Sequence, residues 1–207
     1  MTYADDLRPV GNRCLITPSI HPFWARFPIE TIRHVLQSLG CETIHVPLIS
    51  LARSSIGASE YVKNPSPAEA PERVDCSSFV KWLYAMLGVW IPRYTAQQCT
   101  RGELIDPEAL SAGDLVFMSG RFNWPQTSPP IGHVGMATGQ GTIIHAAGTE
   151  RGVVEDPLHN LWEGIRYGRR ILPTHAPWIT VLFPPSLEIE TPEDLTYLAA
   201  PFLLQEA

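Results

Sequence analysis

The 207-residue chain has room for one domain, or for one domain with extensions, and folding at this length buries roughly 70% of the unfolded surface, so neither metal nor disulfide is needed to hold it. Apolar residues make up 44% and charged residues 17%, a globular balance with no apolar run long enough to span a bilayer. A net charge of -6 without any Lys/Arg cluster provides no phosphate-binding face, so neither nucleic acid nor a membrane is an expected partner.

Met1 to Val10 carries Asp5, Asp6 and Arg8 and lacks the apolar stretch and cleavage site of a secretory signal. Cys14, Cys41, Cys76 and Cys99 show no CxxC spacing, which points to free thiols. The expected location is therefore a reducing, cytoplasmic interior, with export by a route that leaves no Sec signal as the alternative.

Pro28 followed by Ile29, Ile32, Val35, Leu36 and Leu39, with Gly40 at the end, predicts a short amphipathic helix. A strand at Thr43 to Val46 precedes a second helical stripe of Leu48, Leu51, Ala52 and Ile56, which stops at Gly57. The 20 prolines are about twice the usual share of ~5% and predict irregular connections, above all a loop at Asn64 to Glu72. From Cys76, the positions Phe79, Val80, Leu83 and Leu87 fall on one helical face that Gly88 terminates.

The remainder reads as strands at Asp114 to Met118, His133 to Thr138, Thr142 to Ala147, Val153 to Asp156, Tyr167 to Leu172 and Ile179 to Phe183. Helices first and strands after predict an α+β fold with an antiparallel sheet. Beyond Pro184 an acidic tail holds a capped helix start at Thr191, Pro192 and Asp194, and Pro201 is expected to end that helix.

Cys76 sits in the first turn of its helix, where backbone amides and the helix dipole favour a thiolate; a buried structural cysteine is the alternative reading. His133 opens one apolar strand and His145 lies inside the next. If Gly139-Gln140-Gly141 forms a three-residue hairpin loop with Gly141 left-handed, Thr138 pairs with Thr142, and the two histidines become diagonal neighbours on one face, roughly 7 to 8 Å apart by backbone. Zinc held by Cys76, His133 and His145 is the metal alternative, but four ligands and a CxxC or HExxH pattern are wanting, so no cofactor is expected. His21, His34, His45, His159 and His175 carry no pattern.

In chain order the residues Asp75-Cys76-Ser77-Ser78-Phe79-Val80, Ile91-Pro92-Arg93 with Ala96-Gln97-Gln98, Ala112-Gly113-Asp114-Leu115-Val116-Phe117, His133-Val134-Gly135-Met136 and Ile144-His145-Ala146 resemble the NlpC/P60 family of cysteine peptidases, papain-like enzymes that cleave peptidoglycan stem peptides. Arg151-Gly152-Val153-Val154 and Tyr167-Gly168-Arg169-Arg170-Ile171 extend the likeness, which covers about Leu48 to Leu172.

The resemblance implies a papain-like α+β fold with N-terminal helices packed on a central antiparallel sheet. It also implies Cys76 as nucleophile, His133 as base and His145 as the group that orients the base. Tyr61 matches a site-bordering tyrosine by position, and Asp75 and Ser77 match residues that contact substrate in relatives holding a free amine; helix capping is their other reading.

The pattern departs from the family where Tyr-x-Trp-Gly-Gly is replaced by Tyr61-Val62-Lys63-Asn64 and where Ser78 stands in place of glycine. Ser119 to Gly132 is a long insertion, either a substrate wall or an exposed loop. The implied organisation is an N-terminal extension over 1–47, a catalytic domain over 48–183 and an acidic tail over 184–207. The implied substrate is a short peptidoglycan-derived peptide, cut between γ-D-glutamate and a diamino acid. The alternatives are a secreted antibacterial effector amidase or an acyltransferase on the same fold, or a binding module that has lost catalysis.

Overall fold

The computed structural model describes residues 7–19, 21–173 and 178–205. The acidic residues Asp5 and Asp6 and the unassigned His175 lie outside the described residues.

In chain order the elements are β1 (Arg13–Ile16), α1 (Ile29–Ser38), β2 (Glu42–Ile44), α2 (Leu48–Ser54), β3 (Glu60–Tyr61), β4 (Arg73–Val74), α3 (Cys76–Leu87) and α4 (Thr95–Gln98). There follow β5 (Glu103–Ile105), β6 (Leu115–Met118), β7 (His133–Ala137), β8 (Thr142–Gly148), β9 (Gly152–Pro157), α5 (Leu158–Leu161), β10 (Ile165–Arg170), β11 (Ile179–Leu182) and α6 (Pro192–Leu203). The chain divides into two compact units.

One unit is built from Met1–Val46, Ala85–Trp90 and Pro173–Ala207. Its antiparallel sheet has the order β1-β11-β2, with Cys14 opposite Val181 and Thr43 also opposite Val181. The stripe read on α1 buries Ile32, Val35 and Leu36 as expected from its period, and these pack with Trp24, Ile179, Val181, Leu195, Ala199 and Leu203 into one apolar cluster.

Two expectations are corrected here. The strand at Ile179 reads in sequence as part of the same run as the strands before it, yet it pairs with β1 and β2: alternation identifies a strand but not its partner. Pro201 does not end α6, which runs on to Leu203. A proline one turn from the C-terminus costs a single backbone bond, and buried Leu195, Ala199 and Leu203 hold the helix on the cluster.

The other unit comprises Pro47–Tyr84 and Ile91–Leu172. It has helices α2, α4 and α5, α3 up to Tyr84, and a six-stranded antiparallel sheet of order β5-β10-β6-β7-β8-β9. Phe79, Val80, Leu83 and Tyr84 of α3 are fully buried, and the Tyr84 hydroxyl donates to the Gly113 carbonyl at 2.7 Å. Asp114, itself 2% exposed, pairs with Arg170 Nη2 at 2.7 Å and accepts the Ser111 amide, so this motif aspartate ties β6 to β10.

The proline loop is bracketed by a short parallel pairing of β3 with β4, Tyr61 opposite Val74, and its only regular piece among the described residues is a 3-10 turn at Pro67–Glu69. The hairpin between β7 and β8 takes the three-residue form. Met136 faces Ile144, Ala137 faces Ile143, the Thr138 amide donates to the Thr142 carbonyl, and Gly139 and Gly141 both have positive φ.

Candidate active site

Asp75 starts α3. Its carboxylate Oδ1 accepts the Ser78 amide at 2.7 Å while its own amide donates to Ser78 Oγ at 2.8 Å, a reciprocal cap that fixes the first turn. Cys76 follows directly, 9% exposed, with Sγ 3.9 Å from the Thr95 hydroxyl on α4. Gln98 secures that arrangement by donating to the carbonyls of both Ser77 and Pro92 at 2.9 Å. Two residues across the β3–β4 ladder, Tyr61 reaches the same cavity.

The sequence reading expects a thiolate at rest, and here the electrostatics differ. Burial pushes the Cys76 thiol up to about 11 and Asp75 adds to the rise, against which the Val134 backbone, the Thr95 hydroxyl and the Ser77 backbone act. Burial likewise pushes His133 down to about 3, with His145 adding to the fall. In a desolvated site the helix-start amides are outweighed, and both groups rest neutral.

His133 and His145 come together as the hairpin register requires. His133 Nε2 lies 2.7 Å from His145 Nδ1, with ring centroids 5.0 Å apart and planes at 77°. His145 Nε2 in turn lies 3.0 Å from Asp156 Oδ2. Both ring nitrogens of His145 are thus engaged, which leaves none for a metal. Among the described residues no group of three His, Cys, Asp or Glu side chains is disposed to hold one.

Three participants escape the sequence reading. Asp156 is the first: Ile143 faces Asp156 and His145 faces Val154 in the β8–β9 ladder, so Asp156 and His145 are diagonal neighbours on one face. Arg151 is the second, held bidentate on Asp156 at 2.9 and 2.7 Å. Arg151 stands in the quoted Arg151-Gly152-Val153-Val154 motif, but what brings either residue to His145 is the register of the turn from Gly148 to Gly152, which includes a bulge that pattern reading does not resolve. Arg93, quoted as part of a motif, is the third. It donates to both oxygens of Asp75, at 3.0 and 2.6 Å, and to Ser77 Oγ at 2.9 Å. Asp75 and Ser77 line the cavity, and their polar atoms also serve the helix cap and Arg93.

The cavity, about 860 Å³, is lined by Cys76 and His133 together with Tyr61, Asp75, Ser77 and Arg151. The inserted segment 119–132 supplies one side. Gly132 donates to the Met118 carbonyl and Trp124 to the Ile131 carbonyl, closing the base of the segment, and Phe122 and Trp124 meet edge to face at 5.7 Å while Trp124 stands 6.2 Å from Tyr94. Phe122 is also 66% exposed, so the segment is at once wall and surface loop. Lys63 and Arg121 line the same cavity.

Comparison with known proteins decides the family: residues 63–167, about half of the chain, match the model of the NlpC/P60 family. The chain belongs to the NlpC/P60 family. It is 28% identical over 129 residues to the γ-DL-glutamyl hydrolase of Bacillus subtilis, covering 62% of this chain and 29% of that protein. It is 38% identical over 85 residues to the γ-D-glutamyl-L-lysine dipeptidyl-peptidase of Bacillus cereus, covering 41% of this chain and 24% of that protein. The chain thus spans less than a third of the length of these two relatives. The crystal structure of an NlpC/P60 family protein from Bacillus cereus superposes with a TM-score of 0.53 at 30% identity, covering 61% of this chain and 39% of that one. The NlpC/P60 match contains Cys76, His133, His145 and Asp156, and it excludes β1, α1 and α6.

Proposed function

We propose that this NlpC/P60 chain is a cysteine peptidase that hydrolyses peptidoglycan-derived stem peptides, at the bond between γ-D-glutamate and a diamino acid. The observation that carries the reading is one cavity lined by both Cys76 and His133, with His145 Nδ1 2.7 Å from the Nε2 of that base. The names of the relatives, a γ-DL-glutamyl hydrolase and a γ-D-glutamyl-L-lysine dipeptidyl-peptidase, support the choice of bond.

In the proposed reaction His133 Nε2 is engaged by His145, so Nδ1 is the nitrogen left to act on the thiol. Because both partners rest neutral, the Sγ–H proton passes to Nδ1 as sulfur attacks the substrate carbonyl carbon, the carbonyl pair moving to oxygen, so the tetrahedral oxyanion forms beside the His133 imidazolium. The tetrahedral adduct collapses with cleavage of the C–N bond, and the leaving amine takes the proton from Nδ1. Water, deprotonated by the same nitrogen, attacks the thioester. The carboxylic acid departs and Cys76 regains its proton.

Asp75, matched in sequence to a residue that contacts substrate, holds Arg93 on both carboxylate oxygens at the cavity wall. Incubation of the purified protein with defined muropeptides, followed by mass spectrometry, tests the reading. Two fragments whose masses sum to substrate plus one water, cut at the γ-glutamyl bond and absent with Cys76→Ala, are expected. Intact substrate with the unmodified protein, or cleavage by the alanine variant, would overturn it.

A further inference from the structure

We propose that Asp156, acting through His145, is the positioning residue that decides which nitrogen of His133 is left as a base. The inference deepens the reading of Cys76 and His133 given above and rests on it.

Its starting point is the arginine. Arg151 holds both Asp156 oxygens, and this pairing, with the His145 contact as a smaller contribution, keeps the carboxyl below the usual carboxylate range. An ionised carboxylate only accepts, so the nitrogen 3.0 Å away, His145 Nε2, must carry the hydrogen. His145 is 4% exposed and burial holds it neutral against the pull of Asp156, so its Nδ1 is a bare lone pair. That lone pair faces His133 Nε2 at 2.7 Å, which must therefore be the donor. His133 is also neutral, and its single hydrogen is now spent on Nε2. Nδ1 is left bare.

The same geometry with Asp156 removed permits the opposite set of tautomers. His145 could then protonate Nδ1 and donate to His133 Nε2, which moves the His133 hydrogen to Nδ1, where no proton can be accepted from a thiol. What travels along the chain is hydrogen placement, not net charge. The charged or titratable groups facing these rings are Arg151 and Asp156 around His145, and His145, Asp75 and Cys76 around His133.

The placement follows from strand geometry. The β8–β9 register sets Asp156 diagonal to His145, and the Gly148–Gly152 turn, closed by the Arg151 amide on the Gly148 carbonyl at 3.2 Å, returns Arg151 over the carboxylate.

The test combines imidazole 15N NMR with kinetics on the full chain. In a Cys76→Ala background, long-range 1H–15N spectra are expected to show Nε2–H on both histidines. Asp156→Ala and Asp156→Asn should introduce the Nδ1–H form of His133. In the Cys76-containing protein the same substitutions should lower kcat by about 10- to 100-fold with KM little changed, and slow iodoacetamide alkylation of Cys76 near neutral pH. Asp156→Glu should recover part of the loss. Unchanged His133 tautomer and unchanged alkylation in Asp156→Ala and Asp156→Asn would overturn the inference. Should Asp156→Ala not fold, Asp156→Asn carries the same readouts. Spectra and alkylation need no substrate, so failure of the muropeptide experiment would strike the proposed function and leave the tautomer result standing.

Discussion

Gly135 stands where a side chain would strike His145: a Cβ built there lies 2.8 Å from the His145 Cβ and 2.5 Å from Ile143 Cδ1. Gly135 and His145 share a face of the β7–β8 hairpin, with His133 two residues along on that face. The missing side chain is what lets the His145 ring settle against His133. Gly135→Ala is expected to destabilise the fold by about 1–3 kcal/mol, as overpacking does, and to reduce kcat because His145 must shift. Thermal unfolding and steady-state kinetics check both; an unchanged kcat would show that the ring contact is not limiting.

Cys76→Ala should abolish turnover while moving Tm by no more than about 4 °C, since the change removes one sulfur from a site with cavity on one side. Alkylation adds a second reading. Burial pushes Cys14 up to about 12 and raises Cys41 as well, and no histidine is among the groups that shift either. Cys76 is raised too, but shares its cavity with His133. Cys76 should therefore label faster than Cys14 and Cys41 at neutral pH and lose that advantage in His133→Ala, as peptide mapping by mass spectrometry would report.

His133→Ala is expected to cost more activity than His145→Ala. Losing the base removes proton transfer, roughly 100- to 10,000-fold, whereas losing its partner only loosens the base. Matched kcat values for the two variants would contradict this ordering.

Stability should fall on both sides of a neutral plateau. His133 is held down to about 3 in the fold, so the fold binds fewer protons than the unfolded chain below about 6.5, and stability present above that pH is lost as pH falls. Cys76 is held up to about 11, so the stability it contributes is complete below the ordinary thiol value of 9.0 and is lost as pH rises toward 11. Each limb is at most about 1.4 kcal/mol per pH unit per group. Urea unfolding across pH should show His133→Gln flattening the acid limb and Cys76→Ala flattening the alkaline one.

With Asp75 paired to Arg93, while Lys63 and Arg121 line the cavity, substrate carboxylates should matter more than a free amine. N-acetylation of a tripeptide substrate is expected to change kcat/KM by less than tenfold, and Arg121→Gln to raise KM for acidic peptides. A large loss on acetylation would return Asp75 to the role of amine acceptor.

Periodicity alone located α1 and α3, because an apolar stripe at helical spacing states both the element and the face it buries. Gly139-Gln140-Gly141 marked the hairpin and made a three-residue loop the condition for His133 and His145 to meet, since a one-residue change of loop length reverses every side chain; the pairing of Met136 with Ile144 met that condition. Three things came only from the tertiary structure. Ile179 to Leu182 reads as a strand in any neighbourhood, and only long-range pairing assigned it to β1 and β2. Arg93 reaches Asp75 across 18 positions of chain, and Asp156 reaches His145 past a bulged turn, distances at which residue identity carries no geometric information. The resting charge of Cys76 was settled by desolvation: a helix start favours a thiolate wherever it occurs, but how much water surrounds the sulfur depends on everything packed about it.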